Sequence, residues 1–295
     1  MRKRLLLIVG LQKSGSTLLA RLLQQTGVVE SPFFGEGHLF WGNSPWEPPG
    51  AFPTGAVYYR SQGEMGHEID ARDATAEVLR ILNERLAEAP VQTPIAINKN
   101  PYNTVRLPWL RALFPDSVIV ATIREPVPNV FSLSKKYVAL PEHSKQWWYK
   151  DGWYGVKPRS WRDLLNDEKA IQSAEQWRAI NQKLWDDREA VNMFVGYQQL
   201  CADPVGCLER IISIAGDDTF TIDPINRSSL PELRCLDDEY TIGCRVLSKN
   251  YYFDELNSLE IPKDEPVEFP PFHADQIARI NAICQKVASN FETLV

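Results

Sequence analysis

The chain opens with an unbroken apolar run, Leu5-Leu6-Leu7-Ile8-Val9, stopped by Gly10. A run without polar alternation predicts a parallel strand covered on both faces. Leu18, Leu19, Leu22 and Leu23 then recur at helical spacing and predict a helix over Ser16–Gln25. The opening therefore reads strand, glycine-containing loop, helix. Apolar periodicity predicts further helices over Ala71–Ala87, Thr104–Leu113, Ser173–Arg188, Val205–Ile214 and Ala274–Phe291. Short β-branched and apolar runs predict strands at Pro94–Asn98, Ser117–Ile123 and Val191–Val195. Pro126 and Pro128 fit the first turn of a helix after the second of these strands, where a missing N–H is tolerated. Strands alternating with helices imply an α/β protein: an open parallel sheet flanked by helices, with residues 1–295 read as one domain.

Two stretches carry no period. Residues 32–59 and 141–161 are rich in Pro, Gly and aromatics and are read as long aromatic-rich loop and helical insertions in that scaffold. Residues 216–272 are turn-rich. No internal repeat or low-complexity tract interrupts the chain.

Composition narrows the function classes. An apolar fraction of 44% and a charged fraction of 24% are those of an ordinary globular protein. A net charge of −6 argues against nucleic acid or another long polyanion as partner, while leaving room for a local basic pocket. The five cysteines are odd in number and form no CxxC pair, and the four histidines are scattered. Neither a disulfide framework nor a metal site is expected. MRKRLLLIVG imitates a signal peptide, but its apolar run is too short to span a membrane and no small-residue cleavage site follows it. The expected location is the cytoplasm, without a membrane partner.

Two junctions carry candidate chemistry. The first is Gly10-Leu11-Gln12-Lys13-Ser14-Gly15-Ser16-Thr17, between a strand and a helix. Backbone N–H groups and the dipole at a helix N-terminus favour an anion, Gly15 allows close approach, and Ser14, Ser16 and Thr17 add hydroxyl donors. The frame Gly10-x4-Gly15 is that of a P-loop, so the sheet is read as P-loop-type. Ser16 nevertheless occupies the position at which a nucleotide triphosphatase carries lysine, and Lys13 lies inside the loop instead. The second junction runs from Ala121 to Ser132 and includes Arg124, at the carboxyl end of a strand, and Ser132 eight residues on. Ligands collect at such strand ends in open α/β sheets, and a guanidinium with a hydroxyl can hold a second phosphate.

Together these motifs resemble the sulfotransferase superfamily. The resemblance implies that Lys13, Ser14, Gly15, Ser16 and Thr17 bind the 5′-phosphosulfate of 3′-phosphoadenosine-5′-phosphosulfate. It implies that Arg124 and Ser132 bind the 3′-phosphate, with Lys136 reaching it by analogy. Asn98-Lys99-Asn100-Pro101-Tyr102 is similar to the family's lysine-containing segment, and Gly196-Tyr197-Gln198-Gln199-Leu200 to the segment whose Tyr lies near adenine. Ser248 and Lys249 are similar to a late loop that closes over the nucleotide. The cytosolic small-molecule members carry a Trp just after the loop, where this chain has Leu18, and a late Arg-Lys-Gly run that is missing here. The resemblance is therefore to the bacterial, glycan and protein-tyrosine branches.

The implied reaction is sulfuryl transfer to a hydroxyl acceptor by in-line displacement, without a metal. Glu36, in Phe33-Phe34-Gly35-Glu36-Gly37-His38, is the expected general base and His38 its rival. Lys13 and Lys99 would flank the sulfuryl group and stabilise the leaving phosphate. The aromatic-rich stretches would wall an acceptor that is a small alcohol, lipid or carbohydrate, with a peptide tyrosine also open; alternatively their rings pack on the scaffold. Two rival readings remain: a P-loop kinase, against which the displaced lysine counts, and a non-catalytic scaffold, against which the retained basic residues count. Oligomeric state is not read from the sequence.

Overall fold

A computed structural model describes residues 4–33, 37–41, 66–139, 149–150, 152–216, 239–242, 244–246 and 267–294. The elements in chain order begin with β1 (Arg4–Val9), α1 (Ser16–Gln24), β2 (Val29–Glu30), α2 (His38–Trp41) and α3 (Ala76–Glu88). They continue with β3 (Ile95–Lys99), α4 (Leu107–Leu113), β4 (Val118–Ile123), α5 (Pro126–Ala139), β5 (Tyr149–Lys150) and β6 (Trp153–Tyr154). The remainder are α6 (Lys169–Asp186), β7 (Met193–Gly196), α7 (Tyr197–Ala202), α8 (Pro204–Ala215), α9 (Glu239–Ile242), β8 (Cys244–Val246), β9 (Val267–Phe269) and α10 (Ala274–Ala288).

The main sheet has five strands in the order β2-β3-β1-β4-β7. Every pairing in it is parallel. The period-two alternation of a strand explains why β1 is apolar from Leu5 to Val9. Leu5, Leu7 and Val9 enter one core, with residues of α4, α5, α6 and α10. Leu6 and Ile8 enter the other, with Leu19, Leu22 and Leu23 of α1 and Leu208, Ile211 and Ile212 of α8. The chain leaves β1 toward β2 and β3 on one side, then crosses to β4 and β7 on the other. The carboxyl end of β1 is thus a topological switch point, where a crevice opens between diverging connections.

Several boundaries differ from the periodicity reading, each for a local reason. The helix expected over 71–87 is broken: a 3₁₀ turn at Ala71–Asp73 precedes α3, which starts afresh behind Thr75, whose hydroxyl caps Val78 N. Residues 101–113 are likewise a 3₁₀ turn, Pro101–Val105, followed by α4 with Pro108 in its first turn. The helix α6 begins at Lys169, four residues before Ser173. That added turn, residues 169–172, buries polar Gln172, which hid it from an apolar pattern.

The stretches read as long loops contain the helical turn α2 and the hairpin β5–β6, paired Tyr149↔Tyr154 and Lys150↔Trp153. In the turn-rich region, β8 and β9 pair antiparallel. Of the aromatics in these stretches, Trp41, Trp153, Tyr154 and Trp161 are buried. These rings pack on the scaffold. Trp147 and Trp148 lie outside the described residues.

A candidate active site at the carboxyl edge of the sheet

The loop after β1 is held by contacts from three neighbouring segments. Gly10 has φ +139, and a side chain there would sit 2.3 Å from Thr122 Oγ1 and 2.8 Å from Ser14 Oγ. Its N–H donates to Thr104 Oγ1 (2.8 Å), behind β3. Ser14 Oγ lies 2.6 Å from Thr122 Oγ1 on β4. Asn129 Nδ2, in the first turn of α5, donates to Gln12 O (2.9 Å). Lys13 itself takes the left-handed conformation, φ 71, which a non-glycine residue adopts only when its surroundings hold it there.

The loop feeds α1, whose N-cap is Gly15 at φ 99. As a glycine, this N-cap supplies no side-chain cap, and no acidic residue lies in the first turn. The N–H groups at the start of α1 carry the helix's positive end toward the crevice. Ser14 and Ser16 are buried, and Thr17 is half-buried.

The second junction meets the first directly. Arg124 follows β4, is buried, and donates from Nη1 to Lys13 O (3.2 Å) and to Ser132 Oγ (3.2 Å). Trp177 Nε1 on α6 donates to Arg124 O (3.2 Å) and fixes the backbone of that turn. The guanidinium carbon stands 4.3 Å from the ring centroid of Tyr197, a cation–π arrangement. Tyr197 opens α7 just past Gly196, which registers with Ile123, so the ring and the guanidinium issue from adjacent strand ends. The other side of this ring closes on the loop: a β-carbon on Gly15 would lie 2.7 Å from Tyr197 Cδ2. Lys136 lies one turn beyond Ser132 on the same face of α5. Burial, and secondarily the neighbouring Lys135, lowers the pKa of its ammonium.

Lys99 ends β3 and is buried, in register with Ile8. Its neighbour Asn98 accepts from Trp41 Nε1 (2.8 Å) and donates to Gly37 O (3.2 Å). A side chain on Gly37, which has φ +70, would collide with Asn98 at 2.2 Å. The residue that follows Glu36 is thus pinned to the strand carrying Lys99. Glu36, Ser248 and Lys249 lie outside the described residues, as does the side chain of His38.

The structure therefore brings Lys13, Ser14, Gly15, Arg124, Ser132 and Tyr197 into one contiguous cluster, with Lys99 on the next strand. Thr122, Asn129, Trp177 and Thr104 were not singled out by the sequence. The first two fall inside the Ala121–Ser132 segment, and the only signal for Thr122 was a polar residue in an otherwise apolar strand. Among the described residues no group of three or more His, Cys, Asp or Glu side chains is placed to hold a metal ion. Among them, too, no helix is long and apolar enough to cross a membrane.

An open parallel sheet with a glycine-containing strand-to-helix loop at its switch point defines the class, and comparison with known proteins gives the family. A model of the sulfotransferase family matches residues 6–220, and the chain belongs to that family. No curated protein sequence matches significantly. Among solved structures, a sulfotransferase from Alicyclobacillus acidocaldarius is 18% identical, with 97% of each chain covered and a TM-score of 0.42. The sulfotransferase domain of the olefin synthase of Synechococcus PCC 7002 is 16% identical, with 95% of each covered and a TM-score of 0.41. A sulfotransferase from Mycobacterium avium is 15% identical over 72% of this chain and 64% of that one, with a TM-score of 0.40.

Proposed function

We propose that the protein transfers a sulfuryl group from 3′-phosphoadenosine-5′-phosphosulfate to a hydroxyl acceptor. The observation that carries this reading is the bond from Arg124 to the carbonyl of Lys13, which joins the two candidate phosphate sites into one cradle. The residues fit the donor. The N-terminus of α1, with glycine at its N-cap, suits the 5′-phosphosulfate, and Gly10 and Gly15 leave backbone surface where a β-carbon would intrude. Arg124 and Ser132, already bonded to each other, suit the 3′-phosphate, with Lys136 one turn on.

In this reading the acceptor oxygen attacks sulfur in line. Its proton passes to Glu36, or to the rival base His38, as the bond between sulfur and the bridging oxygen breaks. The other product is 3′-phosphoadenosine-5′-phosphate. Lys13 and Lys99 stabilise the charge that gathers on the sulfuryl and bridging oxygens, the task a metal ion performs in phosphoryl transfer. Tyr197 stands beside Arg124 where an adenine ring would pass, and Ser248 and Lys249 close over the nucleotide. The acceptor is a small alcohol, lipid or carbohydrate, and the compartment is the cytoplasm.

Thermal unfolding tests the reading against its rivals. A ligand that binds only the folded state raises the melting temperature with its concentration. Stabilisation by 3′-phosphoadenosine-5′-phosphate and not by Mg-ATP supports a sulfotransferase. The reverse pattern supports a kinase, and stabilisation by neither supports a scaffold.

A further inference from the structure

A second cationic cluster lies beside the phosphate loop and has no part in the reading above. Its members are His67, Arg106 and Lys157, exposed by 5%, 1% and 3%. His67 N donates to Lys157 O (2.8 Å), and Lys157 N donates back to His67 Nδ1 (2.8 Å). A neutral His67 therefore keeps its proton on Nε2. Arg106 Nε donates to His67 O (2.9 Å), and the His67 ring stands edge-on to Tyr102 at 4.6 Å. Lys157 Nζ lies 3.9 Å from the centroid of the Trp161 ring.

Two anchors set this cluster against the loop. Thr104, two residues before Arg106, accepts from Gly10 N. Gly155, two residues before Lys157, packs so tightly on Gln12 that a β-carbon would lie 2.1 Å from its Nε2.

Arg106 has no counter-charge among the described residues. Arg106 Nη1 is buried with no hydrogen-bond partner. Among the described residues no carboxylate pairs with Arg106. Glu68, next to His67 in sequence, instead accepts from Arg159 N (2.7 Å) and faces the Arg159 side chain. Burial draws the Arg106 pKa down to about 10, which still leaves it charged at neutral pH. Burial, then Arg106 and then Lys157, holds His67 well below its usual value. A desolvated guanidinium with a vacant N–H is costly unless an acceptor meets it, and a planar fork is matched best by an oxyanion.

We propose that Arg106, with His67 and Lys157 beside it, forms a subsite for a small oxyanion, a carboxylate or sulfate group, set against the phosphate loop. The oxyanion is either a free inorganic ion or the charged end of an organic molecule that lies alongside the sulfuryl site.

The test is a calorimetric titration of the full chain, saturated with 3′-phosphoadenosine-5′-phosphate, with sodium sulfate and separately with sodium benzoate. Wild type is compared with Arg106→Met, which keeps the bulk and removes the charge. The expected result is a saturable isotherm in wild type for at least one ion, weakened about ten-fold or more in Arg106→Met, the scale of one lost charge-assisted bond. Benzoate binding identifies an organic carboxylate as the source, and sulfate binding alone a free ion. Sulfate also stabilises proteins by exclusion from their surface, but that effect is common to both variants. Should Arg106→Met not fold, Lys157→Met serves in its place. Equal isotherms in wild type and variant, or none for either ion, overturn the proposal. The nucleotide's own melting shift, read beforehand, reports on the sulfotransferase reading separately. The comparison between variants reports on Arg106 in either case.

Discussion

Gly15 offers a quantitative test of how the two junctions are joined. Gly15→Ala brings two separable costs. The first is conformational: at φ 99 an L-residue pays the left-handed penalty, about 1–2 kcal/mol. The second is steric: the new β-carbon would stand 2.7 Å from Tyr197 Cδ2, and that ring sits against the Arg124 guanidinium. Forcing a methyl into a packed site costs about 1–3 kcal/mol, so the total is about 2–5 kcal/mol. Urea unfolding should show this as a fall in the midpoint at unchanged slope. The decisive measurement is the same substitution made in Tyr197→Leu. There the ring edge is gone, and only the conformational part, about 1–2 kcal/mol, should remain. An equal cost in both backgrounds would refute the reasoning, because the ring would then not be the obstruction.

Arg124→Ala should weaken 3′-phosphoadenosine-5′-phosphate binding by about 1.5–3 kcal/mol, some ten- to hundred-fold; calorimetry that finds undiminished affinity would remove the 3′-phosphate from Arg124. Glu36→Gln should lower turnover about 10²–10⁴-fold while the nucleotide still binds; unchanged sulfuryl transfer would pass the base role to His38. His67 is held neutral by burial and by Arg106 and Lys157, so its folded pKa lies below its unfolded value. The unfolded chain then binds the extra proton, and stability should fall as pH drops through the ordinary histidine range toward the folded value. His67→Asn, which keeps an acceptor for Lys157 N, should flatten that decline in acid-melting curves. Burial pushes the Cys284 thiol up to about 12. A maleimide should therefore label half-buried Cys201 in the native protein and reach Cys284 only on unfolding, as peptide mass spectrometry would report.

Much of the scaffold is legible because its signals are local. The Leu5–Val9 run and its glycine stop coincide with β1 and its loop to within a residue, and Pro126 does open α5. Boundaries slip where capping or buried polar residues compete with periodicity: Thr75 restarts α3, and the buried face of α6 is rich in Gln and Ser. The two-residue edge strand β2 and the short helix α7 leave too few residues for any period to show. Within the candidate site, the loop and the Arg124–Ser132 pair stand out by spacing, whereas Trp177 and Thr104 do not. Their roles are single bonds to the turn after β4 and to the loop after β1, made from elsewhere in the chain.

By itself the sequence determined the two strand-to-helix junctions and the apolar strands. Each depends on residues within one turn or strand of one another. Only the tertiary structure decided that Arg124 reaches the carbonyl of Lys13, 111 positions away. It also decided that the Tyr197 ring packs against both the Arg124 guanidinium and Gly15, and that Arg106 is buried with no carboxylate paired to it among the described residues. The reason is that β1, β4 and β7 become neighbours through parallel pairing and crossover helices. That register follows from burying both sheet faces at once, a property of the packed chain as a whole.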